Sequence, residues 1–307
     1  MALKKIHGDA TAPSESQVCT IDRMDCAQIE RTHAMTDGLF RPIDHKIERP
    51  SFHIAQRFQS PKGATVGLEW QGVQLDITDQ QVFLAILRIV SEKSRQVAKK
   101  PENAEQWEGL EKGFDFSVEG PDILVAKTSL YEICMVAGFS DGGEVIESVY
   151  QSIHRMQCTR CWVYFLADGK VERRKESSFS LIAHWGMKDG DAYIGINPFL
   201  TQAVLGKFQV TYLDMTHIRA LRNDVSKRLF MWLSAWSRYD RKQSIGLDKL
   251  VQHVWGDLGK DNPALRKRRM KVRAALGAIS KLDGWTISQG GFKPEVQHLQ
   301  PSKVRRC

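Results

Sequence analysis

The sequence predicts an α+β protein in which one order of helices and strands occurs twice. Two short motifs open the copies, LDIT at residues 75–78 and LDMT at residues 213–216, and an apolar helix-forming segment follows each. Each copy then continues with a short apolar strand, a short helix, a longer amphipathic helix and an aromatic-led β-hairpin. This is the element order of a winged helix, a variant of the helix-turn-helix. The predicted fold is therefore two tandem winged-helix domains.

In the first copy, the pattern predicts a short strand that ends at Thr78, with this threonine capping the helix QQVFLAILRIV. A longer helix is predicted over residues 143–157. The closing hairpin is expected to turn at Asp168-Gly169, because Asp-Gly between alternating apolar residues favours a tight turn. The segment AYIGINPFLTQAVLG then predicts a strand, a turn at Asn197-Pro198 and a helix.

In the second copy, Thr216 is the expected cap of one long helix over residues 217–236. The amphipathic helix is predicted over residues 263–281, with Asn262 as its cap, and the hairpin turns near Gly290-Gly291. Together these elements divide the chain into three parts. We expect a flexible N-terminal tail at residues 1–35, a first winged-helix domain at 36–190 and a second at 191–307.

Positive charge is concentrated in the last third of the chain. Residues 201–307 contain 21 Lys and Arg against 8 Asp and Glu, an excess of 13, whereas residues 1–200 contain 23 against 28. Such asymmetry indicates that one domain meets a polyanionic partner. A solvated basic face would have the same composition, so composition alone leaves both interpretations open.

The densest cationic motif is LRKRRMKVRAALGAISKL at residues 265–282. At 100° per residue, Leu265, Val272, Leu276 and Ile279 form one apolar stripe, and the opposite face is cationic. A recognition helix needs this layout, because one side anchors in the core while the other enters the major groove. The candidate DNA-binding residues of this helix are Arg266, Lys267, Arg268, Arg269, Lys271 and Arg273, with Arg268 and Arg269 flanking the stripe.

The corresponding helix of the first copy, GEVIESVYQSIHRMQ, has a different outer face. It carries Glu144, Glu147, Tyr150, Gln151 and His154. Since carboxylates are repelled by phosphate, we do not expect this helix to read DNA, and its outer face could instead contact a protein. We expect the basic residues of this domain to touch the DNA backbone. Its candidate DNA-binding residues are Lys127, Arg155, Lys170, Arg173, Arg174 and Lys175.

Motifs for other chemistries are weak. Cys158 and Cys161 form a lone CxxC without the further ligands that a zinc site needs, so we expect two thiols at a helix-to-strand junction. No phosphate-binding loop, GxGxxG or HExxH occurs. No cofactor, metal or catalytic residue is therefore assigned. The unpaired cysteines and the lack of a signal peptide or a long apolar segment predict a cytoplasmic protein with no membrane partner.

The order of motifs in the second half resembles a known family. INPFLTQAVLG, IRAL, the Trp-rich helix, LVQHVWG, LRKRRMKVRAAL and GWTIS occur as in the replication initiator protein C of IncQ-type broad-host-range plasmids. The resemblance is specific over residues 193–288 and looser over residues 64–185. It implies a bacterial initiator that binds direct repeats (iterons) in double-stranded origin DNA and helps to open an AT-rich segment. It also implies recruitment of a plasmid-encoded helicase, with a primase acting afterwards.

Two other functions stay open. A winged-helix transcriptional repressor would use the same fold, and a DNA-processing enzyme could carry an unrecognised site. We expect a non-enzymatic protein, since the paired histidines of a metal-dependent nicking site do not occur. The sequence leaves the oligomeric state open, including a homodimer.

Overall fold

The computed structural model describes residues 25–43, 48–59, 65–98, 123–167, 170–171, 177–206, 210–288 and 293–299. These residues form a mixed α/β structure with antiparallel sheets. The helices are α1 Arg31–Met35, α2 Ile77–Ala98, α3 Leu130–Ala137, α4 Gly143–Cys158, α5 Pro198–Val204, α6 Met215–Ala220, α7 Asp224–Trp236, α8 Leu247–Trp255 and α9 Asn262–Ile279. The strands are β1 Cys26–Glu30, β2 Ser51–Gln59, β3 Thr65–Val73, β4 Val125–Thr128, β5 Arg160–Ala167, β6 Lys170–Val171, β7 Ser177–Ser180, β8 Ile182–Lys188, β9 Asp191–Ile196, β10 Val210–Asp214, β11 Lys242–Ser244, β12 Trp285–Ser288 and β13 Glu295–His298.

The largest sheet has five strands and lies in the first half. Its order is β2-β3-β5-β6, and β7 also pairs with β5. The predicted hairpin after α4 is present as the β5–β6 pair, although its turn residues lie outside the described residues. The β2–β3 hairpin was not predicted, even though Phe52, Ile54 and Phe58 alternate with more exposed residues as a half-buried strand requires.

A second sheet, in the order β4-β9-β8, connects the first half to α5. Asn197 caps α5, since its side chain accepts a hydrogen bond from the backbone N–H of Leu200 at 3.0 Å. The predicted strand, turn and helix are thus confirmed here. The predicted domain boundary at 190/191 falls in the β8–β9 turn, and β9 also pairs with β4, so residues 191–196 belong to this first-half sheet.

The two repeated motifs do begin helices, but the predicted capping residue was wrong. Asp76 accepts a hydrogen bond from the N–H of Asp79 at 2.9 Å, and Asp214 accepts one from the N–H of Thr216 at 2.8 Å. The aspartate stands directly before the first helical residue, where a carboxylate reaches the unpaired N–H groups of the first turn. Thr78 and Thr216 already lie inside that turn.

The long helix predicted over residues 217–236 is two helices. α6 ends at Ala220, and Asn223 starts α7 by accepting a hydrogen bond from the N–H of Ser226 at 2.8 Å. Asparagine caps a helix well because its side-chain oxygen replaces a missing backbone acceptor. The apolar periodicity continues across the break, which is why the pattern concealed it.

The predicted N-terminal tail is wrong from Cys26 onwards. β1 pairs antiparallel with β10, and all five of its residues are buried. The guanidinium of Arg228 on α7 is fully buried and donates hydrogen bonds to the carbonyls of Ala34 at 2.9 Å and Thr36 at 2.6 Å. We call residues 25–43 the N-terminal strap, because they bind elements of the second half while contacting α2 of the first.

One continuous hydrophobic core runs through both halves, from Ala27 in the strap to Val296 in β13. α2 lies near its centre and contacts β1, α3, α4 and α7. Where the chain is described, no helix is long and apolar enough to cross a membrane.

Candidate nucleic-acid interface

α9 is held at both its start and one of its faces. Asp261 caps it by accepting a hydrogen bond from the N–H of Ala264 at 2.7 Å, so the cap lies one residue before the predicted Asn262. Pro263 stands in the first turn, where a missing N–H costs nothing. The helix ends at Ile279, close to the predicted bound.

The predicted apolar stripe of α9 is confirmed. Val272, Leu276 and Ile279 are fully buried, and Leu265 packs against the same core at half-burial. These residues anchor the helix on α7 and α8. Burying one face fixes which residues the other face presents to solvent.

The opposite face of α9 is exposed and cationic. Its long exposed side chains are those of Arg266, Lys267, Met270, Lys271 and Arg273. Arg266, Lys267 and Lys271 make no ion pair within the part of the chain that the structure describes. This is the arrangement that a phosphate backbone or a groove edge requires. We call these five residues the α9 face.

Arg268 and Arg269 are engaged within the protein instead. Arg268 donates to the backbone carbonyl of Asp257 at 2.8 Å and lies over the ring of Trp255, 5.1 Å from its centroid. Arg269 forms a two-pronged ion pair with Asp248 of α8, at 2.5 and 2.6 Å. This hydrogen-bonded guanidinium lowers the pKa of Asp248. Both arginines therefore fix α9 relative to α8 and the segment after it.

The acidic partners of these arginines are site residues that sequence reasoning missed. Asp248 and Asp257 are two of the few carboxylates in a strongly basic region, which was the available signal. Their pairing with Arg269 and Arg268 depends on how α8 crosses α9, and that crossing is set by the core.

The candidate residues of the first half are mostly engaged or undescribed. Arg155 forms an ion pair with Asp79 of α2 at 2.7 Å, and the Asp79 side chain is fully buried. Arg155 therefore joins α4 to α2, and its contact with DNA stays a prediction. Lys127 stays exposed but pairs with Asp191 at 2.6 Å, which raises the pKa of the lysine.

The predicted basic wing of the first half lies largely outside the described residues. Lys170 lies in β6, where only its backbone is described. Arg173, Arg174 and Lys175 lie outside the described residues. The structure thus leaves their predicted contact with DNA as a prediction.

The outer face of α4 is acidic, as the sequence indicates. Glu144, Glu147 and Gln151 are exposed. Tyr150 and His154, which were predicted on the same outer face, pack instead against the ring of Trp185 in β8. The exposed part of α4 therefore carries carboxylates and an amide, in contrast with the α9 face.

The CxxC cysteines lie at the predicted helix-to-strand junction. Cys158 ends α4 and is exposed, whereas Cys161 is buried in β5, and burial raises the pKa of its thiol. Across the described ranges, no group of three His, Cys, Asp or Glu residues could hold a metal ion.

This chain belongs to the replication protein C (RepC) family, whose family model matches residues 22–293. Family membership supports a replication initiator rather than any other class of protein with a cationic helix. No curated protein gives a significant match.

Two solved structures share the fold. The crystal structure of the RctB domains 2-3 superposes with a TM-score of 0.55 at 12% identity, covering 90% of this chain and 99% of that one. A crystal structure of SeMet derivatives of domains 2 and 3 of RctB gives a TM-score of 0.53 at 11% identity, covering 89% and 100%. At this identity the likeness concerns the fold alone.

Proposed function

We propose that this chain is a cytoplasmic, IncQ-type plasmid replication initiator that binds iterons through the α9 face. It helps to open an adjacent AT-rich segment, recruits a plasmid-encoded helicase and leaves priming to a separate primase. The proposal combines the family match with the geometry of α9, which has a buried stripe on one side and exposed cations on the other.

In this proposal the second half is a winged helix. α8 and α9 form the helix pair, and the sheet β11-β13-β12 supplies the hairpin beside them. α9 is the recognition helix, with its exposed face in the major groove. Arg266, Lys267 and Lys271 reach phosphates or guanine edges, while the pairs Arg268–Asp257 and Arg269–Asp248 hold the helix in position.

The first half, from α3 to the β5–β6 hairpin, is proposed as a second winged helix with a different task. Since α4 exposes Glu144 and Glu147, this half adds affinity through backbone contacts and leaves α4 for a protein partner, such as a second copy of the chain.

Fluorescence anisotropy with the full chain tests this function. The probe is a duplex carrying tandem repeats from the replication origin beside the gene, and the competitor is the same duplex with the repeats scrambled. We expect binding at least about 10³-fold tighter to the repeats, the lower end of the range for sequence-specific proteins. Equal binding to both duplexes would contradict the proposal.

A nicking assay on supercoiled plasmid, with Mg²⁺ present, separates initiation from strand cleavage. We expect the plasmid to stay supercoiled, because the proposed mechanism opens DNA by binding energy alone. Relaxed product that depends on the protein would favour the alternative of a DNA-processing enzyme.

A further inference from the structure

Met270 is an apolar side chain at an unusual place. The residue is 69% exposed, and the next most exposed large hydrophobic residue in the described parts of the chain, Tyr131, is 50% exposed. It lies on the far side of α9 from the buried stripe of Val272 and Leu276, so it has no role in the core. Covering exposed apolar surface with a binding partner is favourable, because it removes that surface from water.

The neighbours of Met270 define what could cover it. On a helix, residues three and four positions away share a face. Met270 therefore has Arg266 and Lys267 one turn before it and Arg273 and Ala274 one turn after it, all of them exposed. An apolar side chain bordered by three cations fits a polyanion that carries isolated apolar groups on its surface.

We propose that Met270 contacts the 5-methyl group of a thymine and so determines part of the sequence preference. This inference rests on the proposed function, in which α9 enters the major groove. Thymine is the base that presents a methyl group there, whereas the other base edges present donors and acceptors. Methionine suits the contact, since its unbranched, flexible side chain adapts to an apolar partner.

Deoxyuridine substitution tests the contact, because it removes the methyl group and leaves base pairing intact. A duplex is first selected by the full chain from a random pool, and each of its thymines is then replaced singly. We expect at least one position where wild-type affinity falls about fourfold, the factor for one apolar carbon group at ~0.8 kcal/mol. In Met270→Ala the same replacement should cost nothing.

The matched control is Tyr131→Ala, which removes another exposed apolar side chain from α3 and should keep the full deoxyuridine penalty. Because Met270 is exposed, the melting temperature of Met270→Ala should equal that of the wild type. An equal penalty in Met270→Ala and wild type, or no penalty at any thymine, would overturn the inference alone. Failure to select any sequence from the pool would overturn the proposed function as well.

Discussion

The cations of α9 differ in whether they are exposed or ion-paired within the protein, and this difference gives the sharpest test of the interface. Two double variants remove the same charge from the same helix: Lys267→Ala with Lys271→Ala, and Arg268→Ala with Arg269→Ala. The lysines are exposed without ion pairs among the described residues, whereas the arginines are tied to Asp257 and Asp248. We expect the lysine variant to lose DNA affinity and the arginine variant to lose stability.

The magnitudes follow from the two environments. If both lysines contact phosphates, the slope of log K against log salt becomes shallower by up to about 1.8, at about 0.9 per contact. Since this counterion effect vanishes near 1 M salt, binding at 0.1 M should weaken about 60-fold. Loss of two solvent-screened ion pairs and one cation–π contact should lower the free energy of unfolding modestly, because exposed ion pairs contribute little to stability.

Anisotropy titrations of an origin duplex over a range of salt concentrations measure the slopes, and urea unfolding measures the stabilities. The reasoning would be refuted if the arginine variant changed the slope as much as the lysine variant while both unfolded like the wild type. That result would mean that the ion pairs open on DNA and that all these cations contact phosphate alike.

Two further predictions concern stability. Gly38 has a φ of +69°, and a Cβ there would lie 2.9 Å from the Cα of Gly256, so Gly38→Ala should cost more than the ~1–2 kcal/mol of a left-handed alanine alone. Gly206 has a φ of +73° but open space around it, so Gly206→Ala should lower the free energy of unfolding by only the ~1–2 kcal/mol of a left-handed alanine. Equal losses of unfolding free energy in the two variants, measured with urea, would disprove the close approach at Gly38. Burial, together with the charge of His217, lowers the pKa of His298 to about 4, so the unfolded chain binds more protons between about pH 4 and 6.5. Stability should therefore fall as the pH falls, by about 3 kcal/mol at about pH 4, and a His298→Phe variant with an identical pH dependence would contradict this.

α9 could be predicted because its signal is local. The stripe from Leu265 to Ile279 repeats within one helix, and the same repeat assigns Lys267 and Lys271 to the exposed face. Of the stripe residues that the periodicity identifies, Val272, Leu276 and Ile279 are fully buried and Leu265 is half-buried. The order of α8, α9 and the final strands follows from similar short-range patterns.

Features that depend on distant partners could not be predicted. β1 is only five residues long, and its polar residues Gln28 and Glu30 are buried together with its apolar ones, so the sequence does not show that both faces are covered. Its partner β10 comes much later in the chain. Arg155 looks like a candidate DNA contact until Asp79, 76 positions earlier, is placed beside it. The acidic partners of Arg268 and Arg269 could not be predicted for the same reason, since a charge count does not show which carboxylates will face them.

The N-terminal strap has a consequence for the order in which the chain can fold. Arg228 and Ala34, which share a buried hydrogen bond, lie 194 positions apart. During synthesis the strap leaves the ribosome long before β10 and α7 have been made. β1 therefore stays unpaired until β10 is available. Closing so long a loop costs entropy before any contact compensates for it, which slows folding. The helix proposed to read the origin packs on α7, and α7 in turn binds the strap across 194 positions of sequence.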